Sequence, residues 1–310
     1  MMHTAWKRMS ILVGGSRGRR GLLIAMIGLS VGLLLWGILF NWQALQSYDW
    51  QLDWTSLALS ALAYALSLAC VVLGWTVLMR TLQAKSTWQQ DIRFFFYSWL
   101  ARRLPTAAPY MVSRVMLYEE IGVPKRVTSI ALLWENVLLI ASAALSALIL
   151  LPFTPTVQDQ FLRLPLLAAA AACLLLVVMP SLLGRVVNRI LGWLNKEPLP
   201  LLVKQSATSL ALVIYSVSWL MGGGILFFLI RAMHPLAWTD FPLVLQSWLI
   251  SGLVSFIVFL LPFGFGLRDV TLAYLLSFVI PLPIAIVVTL FMRLWVMINE
   301  LFWVLVAVKV

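Results

Sequence analysis

The chain has 310 residues, of which 63% are hydrophobic and only 11% charged. About 25% charged residues is usual for soluble globular proteins, so this composition excludes that class. The net charge of +11 could suggest nucleic acid, but the basic residues flank apolar runs and do not form one face interleaved with aromatics, which argues against such a partner.

A basic tail comes first, over residues 1–20, with Lys7, Arg8, Arg17, Arg19 and Arg20. No small-x-small cleavage site follows it, so the next run reads as a retained anchor and not as a removed signal peptide. A helix needs about 20 apolar residues to cross a hydrocarbon core of ~30 Å. Five stretches meet that length with little or no charge: Leu22–Phe40, Ser56–Met79, Leu164–Leu183, Ala207–Ile230 and Phe241–Leu261. Two more carry polar residues. Val127–Leu151 holds Glu135, and Ile284–Val308 holds Arg293, Asn299 and Glu300. The expected fold is all-α: a single polytopic transmembrane domain spanning 1–310, with seven full spans and two shorter segments, about 7–8 transmembrane helices in all.

The charges between these runs are uneven. The tail carries five Lys/Arg, the Arg80–Arg126 region eight and Arg185–Lys204 four, whereas 41–55, 152–165 and 231–242 carry none, one and one. The positive-inside rule then places the N-terminus and the basic loops in the cytoplasm. Contact with anionic lipid headgroups follows naturally. Trp42, Trp50 and Trp54 surround the first outer turn, and Trp238 and Trp248 border the third, as interfacial anchors would.

Two proline-marked interruptions divide the chain into halves, about 21–151 and 164–308. The first, LARRLP, ends at Pro105 and is followed by Pro109; the second continues from Pro262 as PFGFGLRD, with Gly264 and Gly266. Proline removes a backbone donor and breaks a helix, and glycine admits unusual backbone angles or close approach. After each break come an Arg (Arg114, Arg268), an acid (Glu119, Asp269) and a second proline 19 residues beyond the first, Pro124 or Pro281. The pieces between them, Tyr110–Glu119 and Val270–Ile280, are about ten residues long, which as helix covers only ~15 Å. They are expected as two short re-entrant or broken segments, since non-helical backbone at membrane depth needs protein or a wet cavity around it. A plain crossing helix over 264–280 is the alternative, and it moves the C-terminus to the other side. Matching breaks in two halves point to a substrate site in membrane carriers.

The candidate path residues follow from depth. Glu135 lies nine residues beyond Arg126, or ~13 Å into a helix, and Arg293 sits similarly beyond Pro283. A charge at mid-span costs about 2.5–3.5 kcal/mol on insertion scales, so such a residue should face protein, a partner or water. Arg293 and Glu300 are two turns apart on one face. Glu135 and Arg293 could instead form a structural ion pair between the halves. Arg102 and Arg103 are ordinary positive-inside residues or phosphate ligands; Arg114 is the stronger candidate, because guanidinium groups hold phosphate bidentately. Arg268 and Asp269 share the short helix after the second break. Cys70 and Cys173 read as small buried hydrophobes, His3 and His234 are too few for a metal site, and no cofactor or metal is expected.

The R-x-LP stretch with Arg114 beyond it, Trp134–Asn136 (WEN) and LPFGFGLRD together resemble the lysylphosphatidylglycerol synthase transmembrane, or flippase-like, family. Pro262, Gly264, Gly266, Arg268 and Asp269 match its proline–glycine–arginine–acid pattern; Phe263 and Phe265 replace small or aliphatic residues, Asp269 replaces Glu, and Thr106–Ala108 stands where glycines are common. The resemblance implies a stand-alone membrane domain of the bacterial inner membrane with re-entrant helices, and no aminoacyl-transferase domain. It implies lipid movement between leaflets; the residues expected along the path, from depth, charge and these motifs together, are Arg114, Glu135, Asn136, Arg268, Asp269, Arg293 and Glu300.

The expected function is therefore lipid translocation, of a phospholipid or polyprenyl-linked lipid with a phosphate-containing headgroup. No G-x-x-x-x-G-K-[ST] loop is present, so movement is downhill or gradient-coupled, with Glu135 as a proton candidate. A non-transporting partner of a separately encoded lipid-modifying enzyme is the second reading; homo-oligomers are compatible with both. A membrane glycosyltransferase with Asp49 or Asp53 as catalytic carboxylate is the third, but its outer loops are too short to hold an acceptor. No catalytic constellation is found.

Overall fold

The computed structural model describes residues 51–101, 108–154, 205–259 and 267–309, with isolated positions between 36 and 48 and between 185 and 193. The described residues are overwhelmingly helical, with no strand among them. Eight helices of ten residues or more are described: α1 (Trp54–Thr81), α2 (Trp88–Ala101), α3 (Ala108–Glu120), α4 (Lys125–Leu150), α5 (Gln205–Arg231), α6 (Phe241–Phe259), α7 (Leu267–Leu276) and α8 (Leu282–Lys309). Four segments are long and apolar enough to cross a membrane: Trp54–Thr81, Lys125–Phe153, Gln205–Arg231 and Leu282–Val306. These make the chain an integral membrane protein. The expected spans at 22–40 and 164–183 lie largely or wholly outside the described residues, as do Pro105, Pro262, Gly264 and Gly266.

Local chemistry sets the helix ends. The Asp53 carboxylate accepts from the backbone N–H of Thr55 (2.9 Å) and of Ser56 (3.3 Å), satisfying donors that the first turn of α1 leaves open. Thr87 and Gln90 cap α2 reciprocally, each side chain accepting from the other's backbone N–H, in a capping-box arrangement. α3 stops at Gly122, whose φ of +82° is the left-handed conformation that glycine adopts without a Cβ penalty. The Val123 N–H then returns to the Tyr118 carbonyl (3.0 Å), and Pro124 follows before α4 begins. Pro109 falls in the first turn of α3, a position where a missing N–H costs little.

α1 packs most extensively against α5, and the pair is antiparallel. Ser60 Oγ donates to the Ile225 carbonyl, Ser67 Oγ to that of Ser218, and Gly74 lies under the Tyr215 ring, so one number rises as the other falls. At the end where α1 starts and α5 finishes, the Asp53 N–H donates to the Ala232 carbonyl (2.9 Å), and the Tyr48 hydroxyl shares a 2.6 Å hydrogen bond with His234 Nδ1. The sparsely charged turns around 41–55 and 231–242 thus sit at one end of the bundle. A cluster of Ala143, Ala147, Leu245 and Leu249, edged by Leu150 and Phe241, joins the end of α4 to the start of α6.

The outer faces are apolar too. Leu59, Leu62, Leu66 and Leu73 on α1, Leu210, Val213, Val217 and Leu220 on α5, and Leu294, Met297, Ile298, Leu301 and Leu305 on α8 are exposed. Helices apolar on both faces suit a lipid surround, since exposed patches of this extent are not tolerated on a soluble monomer.

Candidate functional site

Two polar centres lie within the bundle, one in each half. In the first, the short helix α3 delivers Arg114 to the long helix α4. Arg114 Nη1 donates to Glu135 Oε2 at 2.8 Å, with the two side chains 0% and 2% exposed. Arg114 Nε donates to Ser98 Oγ of α2 (2.9 Å), and the Tyr110 hydroxyl donates to the same Glu135 oxygen (3.1 Å). Three aromatic rings surround the guanidinium: Trp75 at 4.3 Å, Phe95 at 4.5 Å and Tyr110 at 4.6 Å. Cation–π attraction is stronger where the charge is desolvated, about 2 kcal/mol or more. The cage is braced from behind, because Trp75 Nε1 donates to the Tyr118 hydroxyl, which donates to Asp91 Oδ1, both at 2.7 Å. This centre ties α1, α2, α3 and α4 together.

The second centre repeats the plan with its charges exchanged. Here the short helix α7 supplies the acid and the long helix α8 the base. Arg293 Nη2 lies 2.6 Å from Asp269 Oδ2, with the side chains 41% and 8% exposed. The approach is an ion contact and not an aligned hydrogen bond, since Asp269 Oδ2 makes none among the described residues. The expected alternative pairing of Glu135 with Arg293 is corrected: each charge is held by the neighbouring helix of its own half. Lys125 and Glu119 form a further pair at the α3–α4 corner, but both are exposed.

Beside this second centre is a cavity of about 370 Å³, lined from α1, α4, α5, α6, α7 and α8. Arg268 and Glu300 are its charged residues; Ser67, Ser218 and Ser255 line it too, their hydroxyl protons already given to the Ser218, Ser67 and Gly252 carbonyls. Ser67 is the fourteenth residue of α1 and Ser218 the fourteenth of α5, so the cavity lies about 20 Å from either end of both helices. Arg268 rests over the Trp248 ring at 4.8 Å.

A reciprocal interlock shapes the cavity. Trp219 of α5 lies against Gly252 of α6, where an added Cβ would come within 2.6 Å of the ring, and Trp248 of α6 lies against Gly222 of α5 in the same way. Trp219 Nε1 also donates to the Leu139 carbonyl of α4 (3.0 Å). Both rings are thereby fixed as walls. Trp248 was expected at the interface; it is instead 9% exposed, and it carries Arg268.

The sequence-predicted residues therefore separate. Arg114 and Glu135 meet in the closed first centre, and Asn136 next to them turns away, its Nδ2 donating to the Leu132 carbonyl at 2.7 Å. Asp269 and Arg293 meet in the half-open second centre. Arg268 and Glu300 come together in the cavity. Tyr64, the serines, Trp219, Gly222 and Gly252 were not anticipated, since only the rotation of each helix decides which of its many Trp, Ser and Gly residues point inward. Asp53, considered as a catalytic carboxylate, is engaged as a helix cap. No group of three or more His, Cys, Asp or Glu residues that could hold a metal occurs among the described residues.

No family model matches the chain, and no curated protein matches it.

Proposed function

We propose that this protein is a lipid translocator of the flippase-like kind, moving a phospholipid or polyprenyl-linked lipid through an intramembrane polar path. The observation that supports the reading is the cavity holding Arg268 and Glu300 halfway along the long helices. Charged residues at that depth are costly and usually mark pathways, and a binding site at the midplane beside broken segments is the pattern of carriers. In this reading α2 with α3, and α7, are re-entrant pieces of two pseudo-repeated halves. The full set of spans is seven or eight, the membrane is the bacterial inner membrane, and the N-terminus is cytoplasmic. The headgroup enters the cavity while its acyl chains stay in the bilayer. Phosphate is held by Arg268, and no residue acts covalently.

The test is transbilayer movement of labelled phospholipids in liposomes containing the purified full chain. Wild type should accelerate movement and Arg268→Ala should lose most of that acceleration while keeping its helical content. Acceleration unchanged in the folded variant contradicts the assigned path. No movement of any tested lipid favours the alternative, a non-transporting partner of a lipid-modifying enzyme.

A further inference from the structure

The sealed first centre has more hydrogen-bonding capacity than its protein contacts use. Glu135 Oε2 accepts twice, from Arg114 Nη1 and from the Tyr110 hydroxyl. Glu135 Oε1 accepts from none of the described residues and Arg114 Nη2 donates to none, although both atoms are shut off from bulk solvent. A third buried atom in this state is the hydroxyl oxygen of Tyr215 on α5, a residue that is itself fully buried. Unpaired polar atoms in an apolar interior are costly, and charged ones most of all.

Tyr215 comes to the pair between α1 and α4. Its ring belongs to one packed cluster with Trp134 and Leu138, the residues one before and three after Glu135. Gly74 of α1 makes room for the tip of the ring, since a Cβ there would come within 2.6 Å of the ring and 3.0 Å of the hydroxyl oxygen. The next residue, Trp75, carries the Arg114 guanidinium at 4.3 Å. Glu135, Tyr110 and Arg114 are all near enough to act electrostatically on the Tyr215 hydroxyl. The three atoms therefore gather where α1, α3, α4 and α5 meet.

Their chemistry selects a small neutral partner. Arg114 Nη2 can only donate, the Glu135 carboxylate can only accept, and the hydroxyl can do either. An anion would meet Glu135 and a cation would meet Arg114, so each small ion faces a like charge on one side. Water accepts from the first atom, donates to the second and takes either role with the third, and about three such bonds are typical of buried water.

We infer that this centre binds internal water between Arg114 Nη2, Glu135 Oε1 and the Tyr215 hydroxyl. The water extends the brace to α5, so the ion pair of the first half is tied to the second half as well. Nothing in this site depends on lipid movement.

Two measurements on the full chain in detergent test it. In X-ray hydroxyl-radical labelling, radicals arise from water where it lies, so a buried ring is oxidised only beside bound water. Tyr215 should be labelled several-fold more than Tyr118, which is equally buried but has its hydroxyl engaged by Trp75 and Asp91. The folded Arg114→Met/Glu135→Leu variant should lose that excess. The second measurement is thermal unfolding of Tyr215→Phe. Its midpoint should fall below wild type, because a hydroxyl held by water is missed when it is removed; the same change made in the double variant should leave the midpoint level or raise it. A hydroxyl with no partner at all would be better removed in both backgrounds.

Labelling of Tyr215 no stronger than that of Tyr118 overturns the water site, and so does a midpoint that rises in Tyr215→Phe. A lowered midpoint without excess label means that Tyr215 bonds the carboxylate directly, which also removes the water. Excess label that persists in the folded double variant takes the ion pair out of the site.

Discussion

The two halves solve one problem in opposite ways. Each fastens a short helix to the next long helix by an arginine–carboxylate pair. In the first half the base is on the short helix and the pair is sealed, with Arg114 caged by three rings and Glu135 accepting from both Arg114 and Tyr110. In the second the acid is on the short helix, Arg293 is 41% exposed, and a cavity opens alongside. The sealed pair keeps Arg114 Nη2 and Glu135 Oε1 without a hydrogen-bond partner among the described residues, but with the side chains 0% and 2% exposed that capacity is out of a ligand's reach. The open half is within reach of one. Under the proposed function, Arg114–Glu135 is a structural brace and the path runs by Arg268 and Glu300.

The largest effect that tests this contrast comes from removing one member of the sealed pair. Glu135→Leu or Arg114→Met alone should destabilise the protein by about 3–5 kcal/mol, because a buried charge loses its partner. The double variant should recover most of the loss, since an apolar pair of similar volume is often neutral in such a place. Thermal unfolding in detergent followed by circular dichroism reads both. Failure of the double variant to recover would make the pair more than a brace.

Next is the interlock. Gly222→Ala forces Trp248 away from α5 and should cost about 1–3 kcal/mol as overpacking does, and it should also shift Trp emission. Gly224→Ala, whose added Cβ would meet only Ala63 at 3.7 Å, should be nearly silent and is the control.

A smaller change is expected at the second ion pair. Asp269→Asn should lower stability by less than Glu135→Leu does, because the long, 41% exposed Arg293 side chain can turn toward a polar region when its partner is lost, whereas the caged Arg114 cannot. A loss as large as that of Glu135→Leu would erase the contrast between the halves.

The smallest effect is one of pH. His234 is clasped by Tyr48 at the sparsely charged end, and burial holds its pKa below the ordinary value of 6.5. A depressed folded-state pKa means that the unfolded chain binds the proton more readily. Stability from this clasp is therefore complete above about 6.5 and is lost as pH falls through the lower folded value. His234→Gln should flatten that part of the stability profile between pH 7 and 5, and an unchanged profile would deny the clasp its role.

Much of the framework was legible in residue order. The Thr87–Gln90 box, Gly122 before Pro124, and Pro281 ahead of α8 mark helix ends through local chemistry that needs no tertiary context. Long apolar runs gave α1, α4, α5, α6 and α8 within a few residues of their bounds. The residues of interest were legible as types at a depth: Arg114, Glu135, Arg268, Asp269, Arg293 and Glu300 are conspicuous because charge is rare in such runs. Their partners were not. Depth alone could not tell Arg114 from Arg293 as the mate of Glu135, since that choice depends on which helices touch. The Trp219–Gly252 and Trp248–Gly222 contacts were hidden for the same reason. Almost every face of α5 and α6 is apolar, so hydrophobic periodicity does not say which way either helix turns.

The most direct test sets the two centres against each other in one assay. Transbilayer lipid movement is measured for liposomes containing the Arg114→Met/Glu135→Leu double variant and, separately, Glu300→Gln, each checked for native helical content. Movement close to wild type is expected for the first and a large loss for the second. Lost movement in the folded double variant together with full movement in Glu300→Gln would contradict this, and would place the path through the sealed pair.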